Sequence, residues 1–383
     1  MELSWNRCDF AEQLKQLEKI VEEENDIKKR TYLNKVLDAT RKLYFETFDS
    51  FPRPKVTAKQ RLVAILDSTF AYNRYYSLVS AFFKNVCEHI ELIDEISDEL
   101  EELDPDGNFD FLDTGTTLSG DKLLHMVDTF YKGFDPELYK YFSEVYCDRN
   151  RTFKIDKLKN SDSKTDGSTL FIDGVRKNFI VVYETDNVGT TECTVHEYGH
   201  AIANLVNPEV SYSNRDDFFM EVASIFPELV ALYENGFGFE TIQVLYHLYT
   251  NLVTYVNSAE YLVLHNPILN AWTDNKYVMS DNFFKEIEKY YDIDEECFEE
   301  ALSTTIEDQG VYVLSYAVAL ELLHIYKQDR KKALNLFKQF IQFPANEDVM
   351  SFIAENISIN SHAGEEAKII LDSFQKELKK RRC

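Results

Sequence analysis

Apolar positions recur every three to four residues over most of the chain, and that spacing predicts helices. Phe10, Leu14, Leu17, Ile20 and Val21 form one such stripe, with the charges elsewhere, and residues 1 to about 48 read as two helices. FPRPKV, residues 51–56, interrupts the pattern with two prolines. Helical texture resumes from Leu62 to Leu103, where the acidic run DEISDELEEL reads as a solvated face. Helices follow over Asp121 to Lys132 and from Pro136 to about Cys147, with Pro136 suited to a first helical turn. Residues 240–264, rich in Tyr, Leu and Val at mixed spacing, suit a buried core helix. A later helix, GVYVLSYAVALELLHIY, presents Tyr312, Tyr316 and His324. EEAKIILDSFQKELKKRR is amphipathic and ends in a basic last turn, as a helix C-terminus prefers.

The period changes in one place. Residues 148–178 are polar and turn-rich, with SDSKTDGS the most flexible stretch by composition. Thr169 to Ile172 and Phe179 to Tyr183 are β-branched and aromatic runs joined by DGVRKN, which predicts a hairpin. The expected fold is mainly α, with a small β-sheet.

Composition narrows the function classes. The 383 residues carry a formal charge of −26, the wrong sign for a phosphate backbone or an anionic membrane surface. No nucleic-acid or membrane partner is expected. The N-terminus lacks an apolar signal core, and no run approaches the length that spans a bilayer. The six cysteines are scattered without a CxxC pair, which reads as reduced thiols and cytoplasmic residence. Few glycines and prolines, 12 and 8, suit a helical protein. There is no internal repeat and no evident linker, and nothing in the chain specifies an oligomeric state.

The chemistry concentrates between Thr191 and Tyr233. HEYGH, residues 196–200, puts His196 and His200 on one helical face a turn apart, where one zinc ion can take both. Glu197 lies beside them as a candidate base for a polarised water. Two imidazoles leave a zinc site one protein ligand short. Glu221, on a second helical segment twenty-one residues beyond His200, is the candidate third ligand. Glu228 lies two turns further along the same face, placed to orient a ligand histidine, and reads otherwise as a surface residue. The strand Phe179–Tyr183 before the motif offers an edge that could align an extended peptide; a small structural hairpin is the equal alternative. DPDGNFDFLDTG, residues 104–115, spaces Asp104, Asp106 and Asn108 like calcium ligands. It has Phe109 and Gly115 where such a loop needs Gly and Glu, so a turn-rich loop is the better reading.

These residues carry a resemblance. FIVVYETDNVGTTECTVHEYGHAIA followed by FFMEVASIFPEL resembles the metal centre of the M3 family of zinc metallopeptidases, closest to its oligoendopeptidase F branch, whose relatives include thimet oligopeptidase. The match falls on His196, Glu197, Gly199, His200, Glu221, Val222, Ala223, Ser224 and Glu228. FYKGFDPELYKYFSEVYCDRN, FFKEIEKYYDID and VYVLSYAVALEL are similar to helices of the same family, so the resemblance covers roughly residues 120 to 380. It implies a neurolysin-like helical zincin domain over 120–383, with residues 1–119 an N-terminal helical segment packed on it. It implies Zn2+ as cofactor, a peptide as substrate, and cleavage of oligopeptides in a channel with Glu197 as general base. In the family a late helix carries a His followed by closely spaced tyrosines that contact the transition state. No His lies near Glu307 or Asp308 here, and Leu314 stands at the central tyrosine's place. Tyr312 is the candidate catalytic tyrosine, with Tyr316 nearby; both read equally as packing tyrosines. Two further readings stand beside an oligopeptidase: a specialised protease, effector- or toxin-like, acting on a particular protein, and a zinc-holding peptide-binding protein with weak or lost turnover.

Overall fold

The computed structural model describes residues 7–48, 75–103, 118–157, 167–172, 175–207, 221–274, 306–343, 349–359 and 361–381. The first helices are α1 (Arg7–Glu23), α2 (Ile27–Phe48), α3 (Tyr76–Cys87), α4 (Ile90–Leu103), α5 (Gly120–Phe134), α6 (Leu138–Cys147) and the single turn α7 (Arg149–Thr152). Three strands follow: β1 (Phe153–Lys157), β2 (Gly167–Ile172) and β3 (Lys177–Glu184). The chain then returns to helices: α8 (Asn187–Val206), α9 (Val222–Glu234), α10 (Thr241–Asp274), α11 (Ile306–Gln328), α12 (Arg330–Ile341), α13 (Val349–Asn356) and α14 (Ala363–Arg381). The mainly helical character with one small sheet is as the periodicity predicts. The stretches 51–56, 62–74, 104–115 and 283–294, each given a reading above, lie outside the described residues. No described helix is long and apolar enough to cross a membrane.

The sheet differs from the expected hairpin in two ways. Its order is β1-β3-β2, with β3 parallel to β1 and antiparallel to β2. The first difference is β1 itself. FKIDK falls in the stretch read as turns, yet Phe153 and Ile155 alternate with charged residues in the period of two that a half-buried strand needs. The second is that β3 is the central strand, hydrogen-bonded on both sides. The run Phe179–Tyr183 therefore has no edge to offer a peptide, and the outer strands are β1 and β2.

Strand alternation decides what each face of the sheet covers. Phe179 and Val181 point to one face, where they join Phe10, Leu17, Val21, Leu33, Val36 and Leu37 of the α1–α2 pair. Phe10 and Phe179 meet with ring centroids 4.3 Å apart. Ile180 and Val182 point to the other face and into the main core, against which α8 packs. Residues 75–103 also join this core: Tyr75, Val79, Phe82 and Val86 of the α3 region and Ile93, Ile96 and Leu100 of α4 are all buried in it.

α8 is buried around most of its circumference, from Val188 through Leu205. Asp186 caps its N-terminus, accepting from the backbone N–H groups of Val188 and Gly189 at 2.9 and 3.0 Å. Tyr131 of α5 donates its hydroxyl to the Val195 carbonyl at 2.6 Å. The closest approach is to α9. A Cβ built on Gly199 would lie 2.6 Å from the Ala223 carbonyl oxygen and 2.8 Å from the Ser224 Cα, so only glycine lets the two backbones cross there. Pro227, inside α9, has no N–H to return to the Ala223 carbonyl four residues earlier. The carbonyl facing Gly199 is thus one that the helix does not use in the regular way.

Gly199→Ala is expected to lower the free energy of unfolding by about 1–3 kcal/mol, the cost of overpacking a contact that cannot yield. Gly133→Ala is its control: it lies within α5, where an added Cβ meets nothing within 4 Å. That change should stabilise by up to about 1 kcal/mol through helix propensity. Denaturant titrations read both, and a Gly199→Ala protein as stable as the parent would overturn this account of the crossing.

Candidate metal and catalytic site

The crossing at Gly199 determines which side chains meet. His196 and His200 flank the glycine on α8, with ring centroids 5.0 Å apart. Glu221 is the residue that opens α9, and its carbonyl accepts from the N–H groups of Ser224 and Ile225 at 3.1 and 2.8 Å. Its carboxylate Oε2 lies 3.1 Å from His196 Nε2 and 3.1 Å from His200 Nε2. The Ser224 hydroxyl stands 3.2 Å from the same oxygen. Two imidazole nitrogens and one carboxylate oxygen thus converge, as a group of ligand atoms within 4.8 Å of one another.

Glu228 is buried, not a surface residue. Its Oε2 lies 2.8 Å from His196 Nδ1, which directs the opposite nitrogen of that ring toward Glu221. From Glu228 a polar chain runs inward. The Asn251 amide donates to Glu228 Oε1 at 3.0 Å and to Glu192 Oε1. Glu192 Oε2 pairs with His247 Nδ1 at 2.9 Å. His247 Nε2 reaches both carboxylate oxygens of Asp186 at 3.1 Å, closing on the residue that caps α8. Gly189 makes room for this last contact, since a Cβ there would lie 3.0 Å from His247 Cε1.

Charge in this region is unbalanced, and it shifts the proton affinities of the groups that share it. Burial opposes ionisation of Glu221, yet the charge and hydrogen bonds of His200 and His196 hold its carboxyl well below the ordinary 4.5. Burial would lower His196, but hydrogen bonds and charge from Glu221 and Glu228 raise it well above 6.5. Burial pushes Glu228 up to about 8; the His196 hydrogen bond pulls against this and the charge of Glu192 adds to it. The field of Glu221 and Glu228 thus favours positive charge at His196.

Glu197 is buried beneath β2. The Thr169 hydroxyl of β2 lies 2.5 Å from Glu197 Oε2 and 3.0 Å from its carbonyl oxygen. Gly167 faces the other carboxylate oxygen: a Cβ there would lie 2.6 Å from Oε1. One strand therefore holds one oxygen of Glu197 by a hydroxyl and packs a glycine against the other.

Sequence scans against protein-family models and curated proteins return no match. Solved structures do match. PZ peptidase A, solved with an inhibitor, superposes with a TM-score of 0.56 at 14% identity, over 95% of this chain and 71% of that one. A protein assigned as an oligoendopeptidase F gives 0.53 at 13%, over 96% and 71%. A protein of Chlamydophila abortus assigned as a peptidase gives 0.53 at 14%, over 92% and 61%. The chain has the oligoendopeptidase F fold. It spans between 61% and 71% of the lengths of the four structures it matches.

Within this oligoendopeptidase F fold the structure brings together His196, His200, Glu221 and Glu228, with Glu197 next to His196 on α8. The tyrosines stand on α10 and α11. Tyr312 is 39% exposed and Tyr316 fully buried. Between them lies Tyr255, whose ring is 4.2 Å from that of Tyr316 and 6.4 Å from that of Tyr312. Burial, the charge of Glu228, the neighbouring tyrosines and the charge of Glu221 all keep the Tyr255 hydroxyl protonated, hence a donor. Tyr255, Thr169, Asp186, Glu192, His247 and Asn251 were not among the sequence candidates. A signal existed for one pair: His247 and Asn251 are four apart, on one face of α10.

His247 supplies a pH test. Burial would lower its pKa, but hydrogen bonds and charge from Asp186 and Glu192 raise it to about 10 from the ordinary 6.5. Because the folded value is the higher one, its stabilisation is complete below pH 6.5 and is lost as pH rises through about 10. His247→Gln is expected to destabilise by about 3 kcal/mol at pH 6, since it strands buried carboxylates. The gap to the parent should close toward pH 10. Unfolding measured at pH 6, 8 and 10 checks this, and a gap independent of pH would show that His247 is not held as the cation.

Proposed function

We propose that the chain is a zinc-dependent endopeptidase that hydrolyses peptide bonds, in oligopeptides first of all. The observation that carries the reading is the convergence of His196, His200 and Glu221 on one point, with Glu197 held beside it. Two imidazoles and a carboxylate are a donor set suited to zinc. Names of proteins that share the fold, peptidases and oligoendopeptidases, support the reaction class. When bound, zinc supplies Lewis-acid chemistry that polarises a carbonyl and acidifies water.

The chain's own residues supply the rest. Glu228 holds the Nδ1 side of His196, so that its Nε2 faces the ion. Glu197 takes the proton of the attacking water and passes it to the leaving amine. Thr169 fixes one oxygen of that carboxylate, and the absence of a side chain at Gly167 lets the other act. Developing negative charge on the scissile carbonyl needs donors in a site of limited water. Tyr255 and Tyr312 are the hydroxyls assigned to it. β2, an outer strand beside Glu197, replaces β3 as the element that can lie along an extended substrate.

Turnover of a panel of internally quenched peptides by the parent and by Glu197→Gln tests the proposal. A fall in kcat/KM of about a thousandfold, within the range for loss of a general base, is expected. Equal rates, or silence from both over a broad panel, would sink it. Glu228→Gln is expected to weaken zinc binding about tenfold or more, as losses of ligand-orienting carboxylates do. A competition titration against a chromophoric chelator measures this, and an unchanged affinity would remove Glu228 from the metal's support.

A further inference from the structure

Behind His196 two buried carboxylates, Glu192 of α8 and Glu228 of α9, face each other from different helices. Like charges repel at close range, and burial leaves little water to screen them. One side chain stands between the two. Asn251 of α10 donates from its amide nitrogen to Glu228 Oε1 at 3.0 Å and, by a shorter contact, to Glu192 Oε1. The remaining oxygens have partners of their own. His247 Nδ1 lies 2.9 Å from Glu192 Oε2, and His196 Nδ1 lies 2.8 Å from Glu228 Oε2. Each of the four carboxylate oxygens thus meets a nitrogen, and Asn251 serves two of them.

The residue type follows from that task. An amide nitrogen carries two N–H donors and no charge, so one atom can serve both carboxylates at once. A hydroxyl has a single proton to give, and a carboxyl would add a third acid. The contacts also settle which way the amide faces, since its oxygen in that place would lie between two carboxylate oxygens. His247, one turn earlier on the same face of α10, holds the far side of Glu192 and links it to Asp186. The setting of Glu228 is therefore imposed from α10 and α8, not from its own helix.

We infer that Asn251 is a positioning residue for His196: by bridging Glu192 and Glu228 it fixes the Glu228 carboxylate on His196 Nδ1. The inference rests on the zinc reading above, in which the Nε2 of that ring faces the ion. Rotatable bonds join the Glu228 carboxylate to its backbone, and His196 holds only one of its oxygens. Without Asn251, Glu228 Oε1 faces Glu192 Oε1 with no donor between them. The Glu228 carboxylate then turns to relieve the repulsion, and the imidazole loses the partner that sets its tautomer and orientation. Asn251 acts at one remove, through carboxylates, so its effect is read in metal affinity and passes through Glu228.

A double-mutant cycle on the full chain tests this, with zinc affinity measured by competition against a chromophoric chelator. The proteins are the parent, Asn251→Leu, Glu228→Gln and the double variant. Leucine keeps the approximate volume and removes both donors. Asn251→Leu is expected to weaken zinc binding about tenfold. In the Glu228→Gln background the same change should cost about twofold or less, because the carboxylate it acts through is gone. An affinity that Asn251→Leu leaves unchanged, even with a lowered melting temperature, would overturn the inference and leave Asn251 a packing residue. A tenfold loss that persists in the Glu228→Gln background would overturn it as well. If circular dichroism shows the Asn251→Leu protein unfolded, Asn251→Asp takes its place in the cycle with the same expectation, since it keeps the shape and exchanges the donors for a third acid. A parent that binds no zinc would remove the zinc reading and this inference together. A parent that binds zinc while its Asn251 variants match it would remove this inference alone.

Discussion

Everything in the candidate site depends on two backbones touching where a side chain is missing. Gly199 lies against the Ala223 carbonyl and the Ser224 Cα at distances that no Cβ tolerates. On α8 the glycine is three residues past His196 and one before His200. On α9 the touching point is two residues past Glu221 and five before Glu228. All four side chains therefore project into the same narrow seam. Glu221 Oε2 can stand 3.1 Å from both rings only because the helix axes approach this closely. Pro227 adjusts the partner: by withholding an N–H from the Ala223 carbonyl, it lets that oxygen face the neighbouring helix instead of its own.

The contact would be of little use if α8 could shift along its axis. Three attachments oppose that. Asp186 caps its first turn while also gripping His247 of α10. Tyr131 reaches in from α5 to the Val195 carbonyl. Thr169 ties β2 to the backbone and side chain of Glu197. The sheet in turn is covered on its far face by α1 and α2, so the N-terminal helices act on the site through Phe179 and Val181 rather than through any residue of it. A strand hydrogen-bonded to β1 on one side and to β2 on the other cannot also serve as an edge, so β3 is a support and the outer strands are β1 and β2.

The contrast between what could be read and what could not follows the range of the interactions. HEYGH is local: its spacing of four places two histidines on one face of any helix, so no fold was needed to see it. Glu221 and Glu228 were legible because their own spacing is helical and the resemblance supplied the pairing with HEYGH. Asp186, Glu192, His247 and Asn251 were not, because each meets its partner across about sixty residues and each alone looks like an ordinary polar helix position. β1 was hidden by its length and its lysines, although Phe153 and Ile155 kept the alternation. The central position of β3 could not be read at all. A hairpin signal reports the neighbour on one side of a strand, and the parallel partner on the other side leaves no mark in the intervening turns.

The polar chain behind His196 bears on the proposed metal as well. The buried Glu192, Glu197 and Glu228 and the partly buried Glu221 bring four carboxyl groups into one region, with Asp186 at its margin. His247 is the cation held between Glu192 and Asp186. Glu228 answers part of the excess by rising to about 8 and keeping a proton. His196 answers another part by rising well above its ordinary value. Both adjustments oppose the arrangement needed to bind metal, in which His196 must be neutral at Nε2. They are what the protein does with surplus negative charge when only protons are on hand. A divalent ion held, as proposed, by His196, His200 and Glu221 would remove the surplus at its centre, with His196 neutral at Nε2 and Glu228 holding the other side of the ring. The buried acids are not a defect of the core. They set an electrostatic demand that the proposed metal ion would meet.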